Sequence, residues 1–310
     1  MIVSASYKTD IPAFYADWFQ RRLAAGHARM TNPYGGQVYD VDLTPQAEGG
    51  TCDGFVFWSK HAAPFRGALQ DVAARGLPFV MQYTVTAYPK ALETSVVDAE
   101  RSVAEIHAIA DTYGRDAVVW RYDPVLLSDL TPPHWHRRTF ARLADALAGA
   151  TDEVVLSFAT VYAKTQRNTD AAARQHGFEW WDPPADEKTS LLQELGGIAR
   201  ARGLTPKLCA QPELLPEPLF SELEPAVCID AARLSRVAGR DVSAPTKGNR
   251  PGCFCARAKD IGAYDTCPHG CCYCYAVQRP QLAKRRYRAH DPAADFLIAP
   301  GTRVAGRSGS

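Results

Sequence analysis

Residues 54–86 read GFVFWSKHAAPFRGALQDVAARGLPFVMQYTVT, with two apolar runs on either side of a helical pattern. The runs GFVFWSK (54–60) and PFVMQYTVT (78–86) are rich in β-branched and aromatic residues, which predicts strands. The residues near 64–76 between them carry apolar side chains at helical spacing. Neither run alternates strictly with polar residues, which is typical of parallel strands covered on both faces. The stretch therefore predicts a strand–helix–strand unit of a parallel sheet.

The same rhythm continues through most of the chain. Further strand-like runs are MIVSAS (1–6), AVVWRY (117–122), EVVLSFA (153–159) and TPKLCAQ (205–211). Further helical patterns lie near 11–26, 94–113, 132–149 and 186–202. Six strand-like runs with helices between them predict an α/β fold with a partial (β/α)6-type, TIM-like barrel. An open doubly wound sheet is the second choice.

The domain organisation follows from a change of pattern after residue 211. Residues 1–211 are predicted to form the barrel core, and 212–276, where Pro, Gly and Cys accumulate, a cysteine-rich segment that completes the barrel top. Residues 277–298 are predicted to contain a closing helix, and the small polar residues of 299–310 a disordered tail.

Composition restricts the classes of function. The 310 residues have a formal net charge of +1, so no overall field favours a polyanion. No apolar run is long enough for a membrane span, and the N-terminus lacks the pattern of a signal peptide. A cytoplasmic protein with reduced thiols is therefore expected, and its nine cysteines need an explanation other than disulfides. The basic run QRPQLAKRRYRAH (278–290) is either a solvated helix face or a phosphate contact.

Polar side chains follow successive strand-like runs. Because the carboxyl ends of parallel strands meet at one edge, these side chains are predicted to share one pocket. They are Ser4, Ser6, Lys8, Thr9, Asp10, Ser59, Lys60, His61, Thr84, Thr86, Arg121, Tyr122, Asp123, Tyr162 and Lys164. The glycine-rich fingerprints of nucleotide-binding folds are absent from the sequence.

The stretch CPHGCCYCYA (267–276) is the densest concentration of potential ligands. Cys267, Cys271 and Cys274 have the spacing Cys-x3-Cys-x2-Cys. A structural zinc site usually presents Cys-x2-Cys pairs and takes four ligands. Three thiolates on a short loop can instead hold three irons of a [4Fe–4S] cluster and leave the fourth iron open. The spacing therefore favours a reactive cluster.

A second set of cysteines consists of Cys209, Cys228, Cys253 and Cys255. Four thiolates could close a second [4Fe–4S] cluster or an all-cysteine zinc site, or they could be free thiols. The Cys-x-Cys spacing and the neighbouring first set favour iron–sulfur. Cys52 precedes a buried strand and is expected to pack in the core.

Cys-x3-Cys-x-aromatic-Cys resembles the signature of radical S-adenosylmethionine (radical SAM) enzymes, and CPHGCCYCYA resembles the cluster loop of their spore photoproduct lyase branch. In those enzymes the loop follows the first barrel strand. Its position near the C-terminus here implies a circular permutation of the barrel. From SASYKTDIPAFY, WRYDP, KDIGAYDTCPHGC and YCYA, the chain is also identified as a member of the domain of unknown function 1848 family.

The radical SAM resemblance implies a role for each matching residue. Cys267, Cys271 and Cys274 would ligate the [4Fe–4S] cluster, whose open iron would bind S-adenosylmethionine and cleave it to start radical chemistry. Lys60 would pair with the cofactor carboxylate, and Ser6, Thr9 or Asp10 with its ribose or amino group. The remaining assignments are Thr84 to the ribose and Tyr273 to the adenine. Arg121 and Asp123 would serve the cofactor or the substrate, or they would simply pair with each other.

Other implications of the resemblance leave alternatives open. Cys272 is either an inert thiol or a hydrogen-atom donor. An electron donor such as flavodoxin or ferredoxin would be a partner, and the unknown substrate could be a nucleotide, a nucleic acid or a small molecule. The competing class is a zinc- or cluster-stabilised nucleic-acid-binding protein without catalysis, using Arg285, Arg286 and Arg288.

Overall fold

The computed structural model describes residues 1–32, 36–215 and 223–299 of the chain. Within them the strands are β1 (Ile2–Ala5), β2 (His27–Thr31), β3 (Val38–Asp42), β4 (Gly54–Ser59), β5 (Phe79–Thr84), β6 (Val118–Val125), β7 (Leu127–Ser128), β8 (Glu153–Phe158), β9 (Trp180–Trp181), β10 (Thr205–Leu208), β11 (Glu224–Pro225) and β12 (Ala258–Asp260). The helices are α1 (Ile11–Phe14), α2 (Ala16–Ala25), α3 (Arg66–Ala74), α4 (Ala99–Tyr113), α5 (Pro133–Leu147), α6 (Ala163–His176), α7 (Ala185–Arg200), α8 (Ala231–Ala238) and α9 (Pro280–Arg288).

Eight strands form one parallel sheet in the order β11-β10-β8-β6-β5-β4-β1-β12. The α/β class and all six predicted strands are confirmed. Each strand from β1 to β11 lies beside the next sheet strand along the chain, without the reversal of a doubly wound sheet. Among the described strands no pairing joins β11 to β12, so no closed barrel is seen, and the predicted partial barrel stays a prediction.

The two faces of the sheet have different covers because successive residues of a strand point to opposite sides. On one face, strand residues such as Val3, Phe57 and Trp120 pack in a core with the helices. On the other face, packing is against a smaller apolar group from residues 226–256. The strand side chains of that second group are Ile2, Val56, Val80, Val119 and Val155, and their partners include Cys228, Ile229, Leu234, Val242, Cys255 and Ala256. Both faces are therefore buried, which accounts for the missing polar alternation.

The last strand of the chain lies beside the first. β12 pairs with β1 in parallel register, with Ile2 opposite Ala258 and Ser4 opposite Asp260. After β12 the chain forms the cysteine-rich loop and then α9, whose Tyr287 ring packs edge-on against Phe14 and Tyr15 at 5.4 and 5.7 Å. A helix is present within residues 277–298, and it packs beside α1.

Some elements lie outside the sequence expectations. The β2–β3 hairpin, α6 and α8 had no predicted counterpart. The predicted disordered tail lies outside the described residues from residue 300 onward. Among the described helices, none has the length and apolar character that crossing a lipid bilayer requires.

A buried histidine makes the stability of this core depend on pH. His136 on α5 is fully buried; Tyr122 Oη lies 2.8 Å from its Nδ1, and its Nε2 lies 3.1 Å from the carbonyl oxygen of Leu126. Burial lowers the pKa of His136 from 6.5 to about 4. The histidine therefore stays neutral in the folded chain at pH values where the unfolded chain binds a proton.

We predict that the free energy of unfolding falls as the pH is lowered from about 6.5 to about 4, because only the unfolded chain gains this proton in that range. The contribution of His136 over the window is about 3 kcal/mol. Urea denaturation across the window should show a shallower pH dependence in His136→Gln. The exposed His134 on the same helix supplies the control, since His134→Gln should keep the wild-type profile. Equal slopes in all three proteins would contradict the prediction.

Candidate functional site

Asp260, the last residue of β12, ties the two ends of the chain together at the carboxyl edge of the sheet. Its carboxylate is buried and accepts hydrogen bonds from residues within β1, directly after β1 and directly after β12. The donors are Ser4 Oγ at 2.8 Å, Ser6 Oγ at 2.8 Å, Tyr7 N at 3.1 Å and Gly262 N at 3.0 Å, and the Lys8 ammonium lies at 3.3 Å. Ser6 is thereby committed to shaping the turn after β1, with its Oγ also accepting from Lys8 N.

Asp10 makes a second junction at the same edge. It is the N-cap of α1, and its buried carboxylate accepts hydrogen bonds from three other parts of the chain. The donors are Ala13 N at 2.9 Å, Ser59 Oγ at 2.9 Å, Lys60 N at 2.8 Å and His269 Nε2 at 2.7 Å. The ends of β1 and β4 and the cysteine loop are therefore held together by one side chain.

The cysteine loop is fixed by its backbone. His269 O accepts a hydrogen bond from Ser95 N at 2.8 Å, and Cys272 N donates to Leu92 O at 3.0 Å, so the loop runs beside the segment that follows β5. Gly270 has φ +73, a conformation that other residues rarely adopt, and an added Cβ would lie 3.2 Å from Thr94. This pairing places Cys271 opposite Glu93.

The three thiols of the predicted cluster set share this loop. Cys267, Cys271 and Cys274 are partly buried and close enough for their charges to interact. Burial is the main cause that raises the pKa of each thiol, so each is a neutral thiol until a cation replaces its proton. Among the described residues, no three His, Cys, Asp or Glu side chains are already grouped to hold a metal ion.

Two buried polar atoms, one in the turn after β1 and one in the cysteine loop, have no hydrogen-bond partner. They are Thr9 Oγ1 and His269 Nδ1. Buried polar atoms are nearly always paired, so orphaned ones indicate a place where a ligand or water belongs. Thr9 Oγ1 and His269 Nδ1 are therefore candidate contacts for a polar ligand or a water.

Lys60 and Glu93 form a buried ion pair beside Cys271. Lys60 Nζ lies 2.8 Å from Glu93 Oε1, which also accepts from Thr86 Oγ1 at 2.9 Å and from Tyr273 Oη. Although burial opposes both charges, the attraction within the pair raises the pKa of Lys60 and lowers that of Glu93. An ammonium group is therefore held at the loop.

The other residues assigned to the first site lie at different distances from the thiols. Tyr273 is buried, with its ring 5.8 Å from that of Tyr88 and its hydroxyl on Glu93. Thr84 is half-buried in a cleft that Thr86 and Glu93 also line. Cys272 is buried in an apolar cluster, and its pKa is raised to about 12 mainly by burial. That position favours packing over hydrogen-atom donation. Cys52 lies in the helix-covered core, as expected.

Arg121 lies with the second cysteine set. Its Nη1 donates to Cys228 Sγ at 2.9 Å and to Gln82 Oε1 at 3.1 Å, and its Nη2 donates to Asp123. The guanidinium also lies 4.9 Å from the ring of Trp58. Arg121 is 4% exposed, so its charge depends on these partners.

Three functional candidates were missed from the sequence. Asp260 and His269 stand within the quoted KDIGAYDTCPHGC. No local sequence pattern indicated that the Asp260 carboxylate would accept hydrogen bonds from the turn after β1. Glu93 lies in the connection between β5 and α4, where no strand-end signal exists. Its partner Lys60 is 33 residues away, so only the fold brings the pair together.

The fold and this site define an α/β protein with a cysteine-bearing centre at the carboxyl edge of a parallel sheet. The sequence pattern of the family described as "Domain of unknown function (DUF1848)" matches residues 2–276, and the chain belongs to that family.

Two further comparisons add no function. No curated protein matches the chain. One solved structure that it matches is described as "Differential inhibition of the tandem GH20 catalytic modules in the pneumococcal exo-beta-D-N-acetylglucosaminidase, StrH", with 13% identity and a TM-score of 0.27. The match covers 72% of this chain and 57% of that one.

We predict that Asp10→Ala lowers the free energy of unfolding by about 3–5 kcal/mol, because removal of a buried carboxylate leaves four donors unpaired. Asp71→Ala on the exposed face of α3 is the control, with an expected change within about 0.5 kcal/mol. Chemical denaturation of both variants measures the difference. Equal stability of the two variants would show that the Asp10 junction does not hold the site together.

Proposed function

We propose that this protein is a radical SAM enzyme, with Cys267, Cys271 and Cys274 as ligands of a [4Fe–4S] cluster. The observation that carries the proposal is the position of the three-thiol loop. It leaves a parallel strand at its carboxyl end and lies against the ends of β1, β4 and β5. In parallel α/β folds this edge carries the chemistry.

The strand order supports the proposed circular permutation. If the chain is read from β12, the cysteine loop and α9 follow the first strand, and β1, β4, β5, β6, β8 and β10 follow in spatial order. The loop then stands after strand one, as in the enzymes that CPHGCCYCYA resembles. A cut between α9 and β1 is physically reasonable because chain ends are tolerated at surface connections.

The residues present fit the proposed groups. With cluster and S-adenosylmethionine bound, the chemistry supplied is one-electron cleavage of the sulfonium, which yields methionine and a carbon radical able to take hydrogen from a substrate. The electron comes from an external donor of the flavodoxin or ferredoxin class. The chain's own task is to bind, orient and keep water away from these groups.

Each side chain at the edge has a defined part in that task. Lys60 offers an ammonium to the cofactor carboxylate, and Glu93 holds it beside Cys271. Thr9 Oγ1 and His269 Nδ1, both unpaired, can bond to polar groups of the cofactor. Asp10 acts as a positioning residue because its oxygens accept from protein donors. Ser6 does so because its hydroxyl donates to Asp260 and accepts from Lys8 N.

We predict that Cys271→Ala abolishes 5′-deoxyadenosine formation, because two thiols cannot hold the three irons. The assay uses anaerobically purified protein with dithionite and S-adenosylmethionine. Cys52→Ala, at a core thiol remote from the loop, should form product as the wild type does. Product formation by Cys271→Ala would refute the cluster assignment.

We further predict that Lys60→Gln weakens S-adenosylmethionine binding about 10- to 100-fold, the range expected for one lost charge-assisted hydrogen bond. Lys259→Gln, at an exposed lysine of β12, should leave the affinity unchanged. Equilibrium binding to the reconstituted protein measures both. Unchanged affinity in Lys60→Gln would contradict a contact between Lys60 and the cofactor and would leave Lys60 with its ion pair to Glu93 alone.

The competing class is a nucleic-acid-binding protein that uses the basic residues of α9. Arg285 and Arg288 are exposed, whereas Arg286 donates to the carbonyl oxygen of Tyr264 at 3.0 Å. Two exposed cations on a nine-residue helix are ordinary for a solvated face. Two results together would support this class: binding of single-stranded nucleic acid by this protein, and no 5′-deoxyadenosine formation after iron reconstitution.

A further inference from the structure

Four cysteines from three separate parts of the chain meet beside the sheet face that residues 226–256 cover. Cys209 follows β10, Cys228 precedes α8, and Cys253 and Cys255 precede β12. The Sγ atoms of Cys209 and Cys228 are 3.6 Å apart. The thiol of Cys228 also contacts that of Cys255, which contacts that of Cys253. The four thiols, here called the four-cysteine set, therefore form a continuous chain of neighbours.

The distance between Cys209 Sγ and Cys228 Sγ can be compared with the distances that a zinc ion and an iron–sulfur cluster require. Four thiolates bound tetrahedrally to one zinc ion at about 2.3 Å lie roughly 3.8 Å from one another. The 3.6 Å between Cys209 Sγ and Cys228 Sγ is close to that edge length. In a [4Fe–4S] cluster each thiolate binds a different iron, which holds the sulfur atoms farther apart than a shared ion does. This one Sγ–Sγ distance is closer to that of thiolates on a shared ion than to that of thiolates in the iron–sulfur cluster that the Cys-x-Cys spacing suggested.

We propose that Cys209, Cys228, Cys253 and Cys255 bind one zinc ion in a closed tetrahedral site. The described side chains touch as a chain of pairs and are not yet grouped around one point. Zinc binding therefore draws the four sulfur atoms together into the tetrahedron. Four ligands leave no position for a substrate, so the ion is structural.

Nitrogen donors around the sulfur atoms support a site built for thiolates. Arg121 Nη1 donates to Cys228 Sγ at 2.9 Å, and Arg250 Nη2 lies 3.7 Å from Cys209 Sγ. The backbone N–H of Ile229 donates to Cys255 Sγ at 3.4 Å. Four thiolates on one Zn²⁺ carry a net charge of −2, and the two guanidinium groups offset it. Such outer donors orient the ligands of metal sites and adjust their basicity.

The position of the set indicates what the ion stabilises. Residues 226–256 cover the sheet face opposite the helices, and within the described chain this segment contains one short helix, α8. Cys228, Cys253 and Cys255 belong to that segment, whereas Cys209 belongs to the end of a sheet strand. One ion bound to all four thiolates therefore fastens the segment to the sheet.

The test is a metal analysis of the full-length protein from cells supplied with both zinc and iron. The wild type should carry one equivalent of zinc per chain in addition to the iron of the Cys267, Cys271 and Cys274 site. Cys228→Ser and Cys253→Ser should lose the zinc and keep the iron. Cys271→Ala should lose the iron and keep the zinc, which separates the failure of this proposal from that of the radical SAM proposal.

Two controls keep the outcome interpretable. Cys52→Ala removes a thiol outside the four-cysteine set and should keep one zinc. Because Cys228 is buried, its serine variant could fail to fold. Cys253 is partly exposed, so the zinc content of Cys253→Ser, with its folding checked by circular dichroism, then tests the proposal. Wild-type protein produced with cobalt should show the visible bands of a tetrahedral tetrathiolate.

Three results would overturn the proposal. One is a wild type without zinc, and another is unchanged zinc in both serine variants. The third is iron that persists in Cys271→Ala and disappears in Cys253→Ser, which would assign an iron–sulfur cluster to the four-cysteine set.

Discussion

The carboxylate of Asp260 is the constraint on which the rest of the site depends. Its donors come from Ser4, Ser6 and Tyr7 at one end of the chain, although Asp260 lies more than 250 residues later. Backbone pairing of β12 with β1 alone covers three residues per strand, which is a short ladder. The added side-chain bonds fix the register, and the register decides where the following loop leaves the sheet. The positions of all three loop thiols follow from this junction.

Buried charge at the strand ends is arranged so that little of it is unpaired. Lys60 pairs with Glu93, and Asp10 accepts hydrogen bonds from the end of β4, from the first turn of α1 and from His269. Taking such groups out of water is costly, so each pairing must be good for the edge to be stable at all. The two orphaned atoms, Thr9 Oγ1 and His269 Nδ1, stand out against this background. Because the charged groups named above are paired, these two unpaired atoms mark the part of the edge where a ligand can bind.

The sequence predicts the six principal strands because their apolar runs are long and lie between helical patterns. It cannot tell an open sheet from a closed barrel, since closure depends on strand tilt and on what covers the inner face. Here residues 226–256, which have weak periodicity, cover that face. The candidate site is predicted only in part, because some of its residues stand in a local sequence pattern and others do not. Lys60 and the loop cysteines are visible at strand ends or in a motif, but Glu93 and Asp260 acquire their partners only through folding.

Arg121 belongs to the predicted strand, but its side chain has a partner that the sequence did not indicate. The sequence places Arg121 at a strand end, among residues predicted to share one pocket. In the structure it lies within β6, and its side chain donates to Cys228 on the sheet face that residues 226–256 cover. Asp123 lies two residues farther along the strand and accepts from Arg121, and its charge is also felt by Lys60 at the loop thiols. One carboxylate therefore pairs with the guanidinium beside the four-cysteine set and also favours the charged form of Lys60. An ion with four thiolates near Arg121 would fix that guanidinium, and with it the position of the carboxylate that faces the reactive edge.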